Sequence, residues 1–166
     1  MPYNFSKLEI SIVDANLFSR QILRSLLNAM DIPMASIKEL EDAEVALEDL
    51  KHFTPDLILC ELTLPEMDGL AFVDAVRHME DEIKRYIPII VCTAHSEQAR
   101  VIACRDAGAH EVLHKPMSAQ TLYQRIVSVI ENPRSFVYTK VFTGPDRRRR
   151  TVADGEHARR SGDTKS

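Results

Sequence analysis

The stretch DLILCE at residues 56–61 decides the fold, because it carries a short apolar run, LILC, that ends in a carboxylate. Two further stretches have the same character: LEISIVD at 8–14 and PIIVCT at 88–93. Strands that are apolar on both faces are typical of a parallel sheet covered by helices on each side. MASIK at 34–38 and HEVLH at 110–114 complete a predicted set of five strands.

Amphipathic segments follow the strands and predict helices. The first helix starts after Asn16, while Asp42, Ser96 and Ser118 are suitable caps for later helices. Gly69 leads into the third helix, and Gly108 is suited to ending the fourth. The side chains that recur at helical spacing, and are expected to face the core, are Leu23, Leu26, Leu27, Met30, Ala43, Ala46, Leu47, Leu50, Phe72, Val76, Met79, Leu122, Ile126 and Ile130.

Five strand–helix units in succession predict a doubly wound α/β domain of the (βα)5 type over residues 7–131. Right-handed crossovers between parallel strands place helices on both faces of such a sheet. The composition agrees, since 45% of the 166 residues are hydrophobic and 28% are charged, as in a soluble globular protein. No stretch approaches the ~20 apolar residues that span a bilayer, and no apolar signal segment opens the chain. We therefore expect a cytoplasmic protein whose three cysteines are small buried hydrophobes.

The charge is unevenly distributed between this domain and the residues after it. From Arg134 to Ser166 the chain has nine Lys and Arg against four Asp and Glu, a net charge of +5, whereas the remainder carries −9. Residues 132–166 are predicted to be a basic, disordered tail in which FVYTKVF at 136–142 is β-prone and Pro145 marks a turn. An acidic body argues against a nucleic-acid-binding core. It leaves Arg147, Arg148, Arg149 and Arg150 as the candidates for such contacts.

Polar residues stand at the carboxyl ends of four predicted strands. Asp14 ends the first strand, Glu61 the third and Thr93 the fourth, while Lys115 directly follows the fifth. Strand ends of a doubly wound sheet collect function near the point where strand order reverses. Two carboxylates, a hydroxyl and an ammonium are therefore expected to converge there, with the lysine bridging carboxylates that would otherwise repel each other. His95 and His114 lie beside this set, and we expect them to be solvated or packing residues.

Four stretches together resemble the receiver domain of bacterial response regulators: SIVDANLFSRQILRSLL at 11–27, PDLILCELTLPEMDGL at 55–70, PIIVCTAH at 88–95 and AGAHEVLHKP at 107–116. The resemblance covers about residues 8–131. It implies a flavodoxin-like sheet with strand order 2-1-3-4-5 and a role in two-component or phosphorelay signalling. It further implies that Asp14 is an acidic pocket residue, that Thr93 senses and Lys115 bonds a phosphoryl group, and that the loop after strand three comprises Pro65, Asp68 and Gly69. The Lys115–Pro116 bond is expected to be cis.

Three positions depart from the family pattern. Glu61 replaces the phosphate-accepting aspartate, Ala15 replaces the aspartate that binds magnesium directly, and Val112 replaces the switching aromatic residue of strand five. Losing a carboxylate removes both a ligand and a charge that Mg²⁺ needs, so no cofactor is expected and Mg²⁺ should bind weakly at most. Glu61 is expected to reach Thr93 and Lys115 and to imitate part of the phosphorylated state. The domain is thus predicted to be a pseudo-receiver without enzymatic activity.

Several functional alternatives remain open from the sequence. The first is a phosphorylation-independent module that binds a histidine kinase or a downstream effector through the helix after Ser96, strand five and the last helix. A homodimer is a further possibility. The second is a regulator that is still phosphorylated in an altered pocket. The third is an adaptor that contacts nucleic acid through its arginine-rich tail.

Overall fold

A computed structural model describes residues 4–131, 136–138 and 143–145. Within these ranges five parallel strands form one sheet, and their order β2-β1-β3-β4-β5 is the predicted one. The strands are β1 (Ile10–Val13), β2 (Ile37–Leu40), β3 (Leu57–Cys60), β4 (Ile89–Thr93) and β5 (Glu111–His114). The predicted doubly wound, flavodoxin-like α/β fold is therefore confirmed.

Six α-helices cover the sheet in the described part of the chain. They are α1 (Leu17–Asn28), α2 (Ala43–Asp49), α3 (Gly69–Arg77), α4 (Glu82–Arg85), α5 (Gln98–Ala107) and α6 (Ala119–Glu131). The predicted caps Asp42 and Ser118 accept backbone N–H groups of Val45 and Thr121, and Gly108 ends α5 with φ 112°. Ser96 was wrongly predicted as a cap, because the chain turns into α5 one residue later, at Glu97. The short helix α4 was not predicted.

The second strand lies later in the chain than predicted. Pro33 starts a single 3-10 turn over Met34–Ser36, closed by the bond from Ser36 N to Pro33 O. The extended segment begins only after this turn, so β2 covers Ile37–Leu40 rather than 34–38. It pairs with β1 in parallel, with Ile10 opposite Ile37.

Two hydrophobic cores lie on the two faces of the sheet. One joins the sheet to α2, α3 and α5, with Phe72 and Val76 fully buried, and the other joins it to α1 and α6, with Leu27 and Ile126 fully buried. Most side chains predicted to face inward are buried; those only half-buried are Leu26, Leu47, Met79 and Ile130.

All three cysteines are buried and free of disulfides, as expected for small core residues. Burial raises the pKa of the Cys92 thiol to about 12 and that of Cys104 to about 11, and it also raises the pKa of Cys60. The thiols are therefore protonated at neutral pH.

Beyond α6 the structure describes one antiparallel hairpin, formed by β6 (Phe136–Tyr138) and β7 (Thr143–Pro145). Part of the β-prone segment is thus a strand. Pro145 ends β7 opposite Phe136, a position where the missing N–H of proline is tolerated. The prediction that the whole of 132–166 is disordered is therefore wrong for these two paired strands. The predicted turn at Pro145 and Asp146 extends outside the described residues and stays a prediction. Arg147–Arg150 and the remaining tail residues fall outside the described residues, and for them the predicted disorder stays a prediction. Among the helices that the structure describes, none has the length and apolarity to cross a bilayer.

Candidate functional site

The carboxyl ends of β1, β3, β4 and β5 bring the predicted polar residues to one edge of the sheet. Val13 is level with Cys60 in the ladder, so Asp14 and Glu61, the residues that follow them, are neighbours. The ladder hydrogen bonds continue into this edge, from Glu61 N to Val13 O and from Lys115 N to Thr93 O. Strand register therefore fixes the backbone positions from which the pocket is built.

Lys115 is the centre of this pocket. Its Nζ donates to Asp14 Oδ2 at 2.9 Å, to Glu61 Oε2 at 2.7 Å and to Ser19 Oγ at 2.6 Å. An ammonium group has three N–H donors, so these three acceptors satisfy all of them. The acceptors come from the end of β1, the end of β3 and the first turn of α1. One lysine thus ties three elements together, and the Lys115–Pro116 bond that follows is cis, as expected.

The two carboxylates are engaged on their other oxygens as well. Asp14 Oδ1 accepts from Asn16 N at 2.9 Å, and Glu61 Oε1 accepts from the backbone N–H groups of Leu62 and Thr63 at 2.7 and 3.2 Å. The side chains of Asp14 and Glu61 are only 4% and 12% exposed, and that of Lys115 is 21% exposed. Burial lowers the pKa of Lys115, but the hydrogen bonds to Asp14 and Glu61 outweigh it and raise the pKa above its usual value. The lysine is therefore charged throughout the physiological range.

The side chain of Thr93 does not make the expected contact with Glu61. Its side chain is fully buried, and its Oγ1 accepts from His95 N at 3.2 Å. The predicted contact of Glu61 with Thr93 is wrong, because the Glu61 carboxylate is turned to the start of its own loop and to Lys115. His95 in turn lies 3.1 Å from Thr63 Oγ1 through Nε2, which links the loops after β3 and β4 at the pocket rim.

The loop after β3 positions Glu61. Asp68 caps α3 by accepting from Ala71 N at 2.9 Å, and Gly69 N donates to Leu62 O at 2.8 Å. A Cβ on Gly69 would lie 2.5 Å from the Glu61 carbonyl oxygen, so only glycine allows the helix to start this close to the strand. Pro65 accepts from Met67 N at 2.7 Å and holds the tip of the loop. Val112 on β5 is half-buried against the core on the α5 side.

An open cleft of about 510 Å³ lies above the lysine network. The residues that line the cleft include Phe18 and Ile22 of α1, and Ala94 and His95 of the loop after β4. Ala15 also lines the cleft, and its side chain has no oxygen that could bind a metal ion. The donor set does not fit an octahedral Mg²⁺, because its two carboxylates, Asp14 and Glu61, are both bonded to the Lys115 ammonium and Ala15 supplies no third. No cluster of three or more His, Cys, Asp or Glu that could hold a metal ion occurs in the described ranges.

Sequence reasoning missed Ser19 and Thr63. A serine in the first turn of a helix is ordinary, and only the approach of α1 to the end of β5 makes Ser19 a partner of Lys115. Thr63 is an unremarkable loop residue until His95, from a different loop, reaches it. No signal in the sequence distinguishes either of them.

Comparison with known proteins matches residues 10–127 to the response regulator receiver domain. The chain is 30% identical over 119 residues to the chemotaxis protein CheY of Bacillus subtilis, covering 70% of this chain and 92% of that one. It is 29% identical over 124 residues to the CheY of Pseudomonas aeruginosa, covering 75% and 97%.

Solved structures agree with these sequence relationships. A putative response regulator from Chloroflexus aurantiacus has the same fold, with a TM-score of 0.69, 24% identity, and coverage of 76% of this chain and all of that one. The signal receiver domain of a histidine kinase from Syntrophus aciditrophicus gives a TM-score of 0.66 at 25% identity, covering 81% and 98%. With the sheet order and the strand-end pocket described above, these matches show that the chain belongs to the response regulator receiver domain family of two-component signalling.

Proposed function

We propose that this receiver-family protein signals through protein–protein interaction without being phosphorylated and without catalysing turnover. The observation that carries the proposal is the Lys115 network. The carboxylate at the phosphate-acceptor position, Glu61, already occupies the lysine that would otherwise bond a phosphoryl group. A third acceptor, Ser19, takes the last N–H of the ammonium.

The chemistry of phosphoryl transfer supports the same conclusion. Transfer to a carboxylate needs in-line geometry and a divalent ion that neutralises the developing charge. Ala15 lacks the carboxylate that would bind the metal ion. Glu61 is one methylene longer than aspartate, and each of its carboxylate oxygens accepts a hydrogen bond from an N–H donor. The Glu61–Lys115 contact resembles part of a phosphorylated pocket. However, Glu61 carries one negative charge where a phosphoryl group carries about two at pH 7.

The proposed partner is a histidine kinase or a downstream effector. The face expected to bind it consists of α5, β5 and α6, and Ile102 on α5 offers an exposed apolar contact there. A second copy of the chain is the alternative occupant of this face. Analytical ultracentrifugation of the free protein separates the two, since a homodimer would form without any added partner.

Incubation with acetyl phosphate and Mg²⁺, followed by intact-mass spectrometry, tests the proposal. Wild type, Ala15→Asp and Glu61→Asp should stay unmodified, because the metal ligand and the shorter carboxylate act as a unit and their effects are strongly non-additive. The double variant Ala15→Asp/Glu61→Asp should gain a labile phosphoryl group. Phosphorylation of wild type at Glu61 would overturn the proposal and favour a regulator with an altered but active pocket.

Mg²⁺ should bind the wild-type pocket weakly or not at all, because Ala15 leaves Asp14 and Glu61 as the acidic strand-end ligands and the Lys115 ammonium bonds to both of them. In an NMR titration, the amides next to Asp14 and Glu61 should show no saturable shift at low-millimolar Mg²⁺. The double variant Ala15→Asp/Glu61→Asp is the positive control. Saturation of the wild-type signals in that range would contradict the prediction.

A further inference from the structure

We propose that Ser19 is a positioning residue that couples the charge state of the pocket to helix α1. The proposal rests on the proposed function, since it describes how a pocket that is not phosphorylated can still influence the rest of the domain. Its starting point is the hydrogen bond of 2.6 Å from Lys115 Nζ to Ser19 Oγ, which crosses from the end of β5 to the first turn of α1.

The bond to Ser19 is the one that links α1 to the charge of Glu61, through Lys115. Asp14 has its own link to the start of α1, because its Oδ1 accepts from the backbone N–H of the N-cap residue Asn16. Arg20 also ties α1 to this edge, through its NH1 bond of 2.7 Å to the Asp14 carbonyl and its ion pair with Glu39. That bond ends on a backbone carbonyl, which keeps its dipole whatever the pocket carboxylates do. Lys115 instead is held by Asp14 and Glu61. A change in the charge of either carboxylate therefore moves the ammonium group, which is the hydrogen-bond partner of Ser19.

The coupling from a hydroxyl residue to an aromatic ring on strand five, which the family resemblance implies, has no aromatic partner in this domain. Thr93 is buried and bonded to the His95 amide, and Val112 has no ring that could follow a threonine movement. Among the described residues, the side-chain bonds of Lys115 reach a single helix, α1. The coupling therefore runs from Glu61 through Lys115 and Ser19 to the first turn of α1.

Exposed residues on α1 can report such coupling. Leu17, Phe18 and Ile22 are exposed on this helix, and Phe18 and Ile22 also line the cleft. A displaced first turn would change the environment of these three residues. Their backbone amides therefore serve as reporters for the experiment.

The test measures how Glu61→Gln, which removes the charge at nearly constant shape, shifts the ¹H–¹⁵N NMR signals of Leu17, Phe18 and Ile22. The shift is measured in the full chain with Ser19, Ser19→Ala or Ser19→Thr. We expect a clear shift with Ser19, loss of most of it with Ser19→Ala, and recovery with Ser19→Thr, which keeps the hydroxyl. Ser25→Ala is the matched control, because Ser25 is an exposed serine on the same helix, and it should leave the shift unchanged.

Three outcomes would overturn the inference. Equal α1 shifts in the Ser19 and Ser19→Ala backgrounds would do so, as would the absence of any α1 shift in wild type. A Ser19→Ala protein that melts at a lower temperature but keeps the shift would assign Ser19 a merely structural role. None of these results bears on the acetyl phosphate experiment, so the proposed function and the coupling are tested separately.

Discussion

At the scale of single residues, Lys115 decides the electrostatics of the pocket. Two carboxylates that are almost fully buried lie within hydrogen-bonding distance of its ammonium group. Removing one partner of a buried ion pair leaves the other charge without compensation, and this cost exceeds the net contribution of the intact pair. The lysine is thus a stabilising residue as well as a functional one.

Lys115→Met should destabilise the fold by about 1–3 kcal/mol, below the roughly 3–5 kcal/mol of a fully buried pair because the pocket opens to solvent. Adding Glu61→Gln should recover part of the loss, since one of the two uncompensated charges is then gone. Urea unfolding of the four proteins in a double-mutant cycle measures this coupling. Strictly additive losses would show that the pair does not interact energetically.

The raised pKa of Lys115 predicts a dependence of stability on alkaline pH. A base whose folded-state pKa lies above its unfolded value of about 10.4 stabilises fully below that value, and loses its contribution as the pH rises through the folded pKa. The difference in unfolding free energy between wild type and Lys115→Met should be constant near neutral pH and shrink above about pH 10.5. Denaturant titrations from neutral to alkaline pH measure it. A difference that already falls near neutral pH would contradict the assignment.

At the scale of elements, Arg77 holds one side of the domain together. It is fully buried at the end of α3 and donates to the carbonyl oxygens of Gly108 at 2.9 Å, Arg85 at 2.8 Å and Ile87 at 2.8 Å. Burial lowers the pKa of its guanidinium to about 9, which still leaves it charged at neutral pH. A single side chain therefore joins α3 to the end of α4, the start of β4 and the end of α5.

Arg77→Met should cost about 3–5 kcal/mol of unfolding free energy, because three carbonyl groups lose their donor at once. Arg24→Met is the matched control, since Arg24 pairs with Glu39 at 2.7 Å on a half-exposed part of α1. Such a surface pair is worth about 0–1 kcal/mol. Equal losses in the two variants, measured by thermal or urea unfolding, would show that burial of Arg77 adds nothing.

At the scale of the whole molecule, the described residues of both hydrophobic cores lie before the basic tail. The buried residues of the core on the α1 and α6 side run from Phe5 to Val129, and Ile130 packs beside them. The buried residues of the other core end at Ala109, with Val112 packed beside them. Among the residues whose packing the structure describes, both cores therefore lie within residues 5–130.

A chain that ends after Glu131 should keep the melting temperature of the full-length protein within a few degrees, because none of the core residues that the structure describes is removed. Differential scanning calorimetry of both proteins under the same conditions measures this. A large drop would show that the β6–β7 hairpin or the residues after it stabilise the sheet, and that the predicted boundary near 132 is misplaced.

Much of the fold follows from local patterns in the sequence. Near-continuous apolar runs such as LILC at 57–60 indicate buried parallel strands, and strand–helix alternation leaves few topologies. Asp42, Gly108 and Ser118 act through groups only a few residues away, so their roles could be predicted. The errors at β2 and at Ser96 concern element boundaries, where a 3-10 turn or a cap one residue later differs little in local energy.

The sequence by itself determined that Asp14, Glu61, Thr93 and Lys115 meet at one edge, because each directly ends or follows a parallel strand. Only the tertiary structure decided which of them bond to each other. Glu61 turns to Lys115 and its own loop rather than to Thr93, and Ser19 supplies the third acceptor. The physical reason is the distance along the chain. Lys115 and Ser19 are separated by 96 positions, and their contact depends on how α1 packs against β1 and α6, which no local pattern encodes.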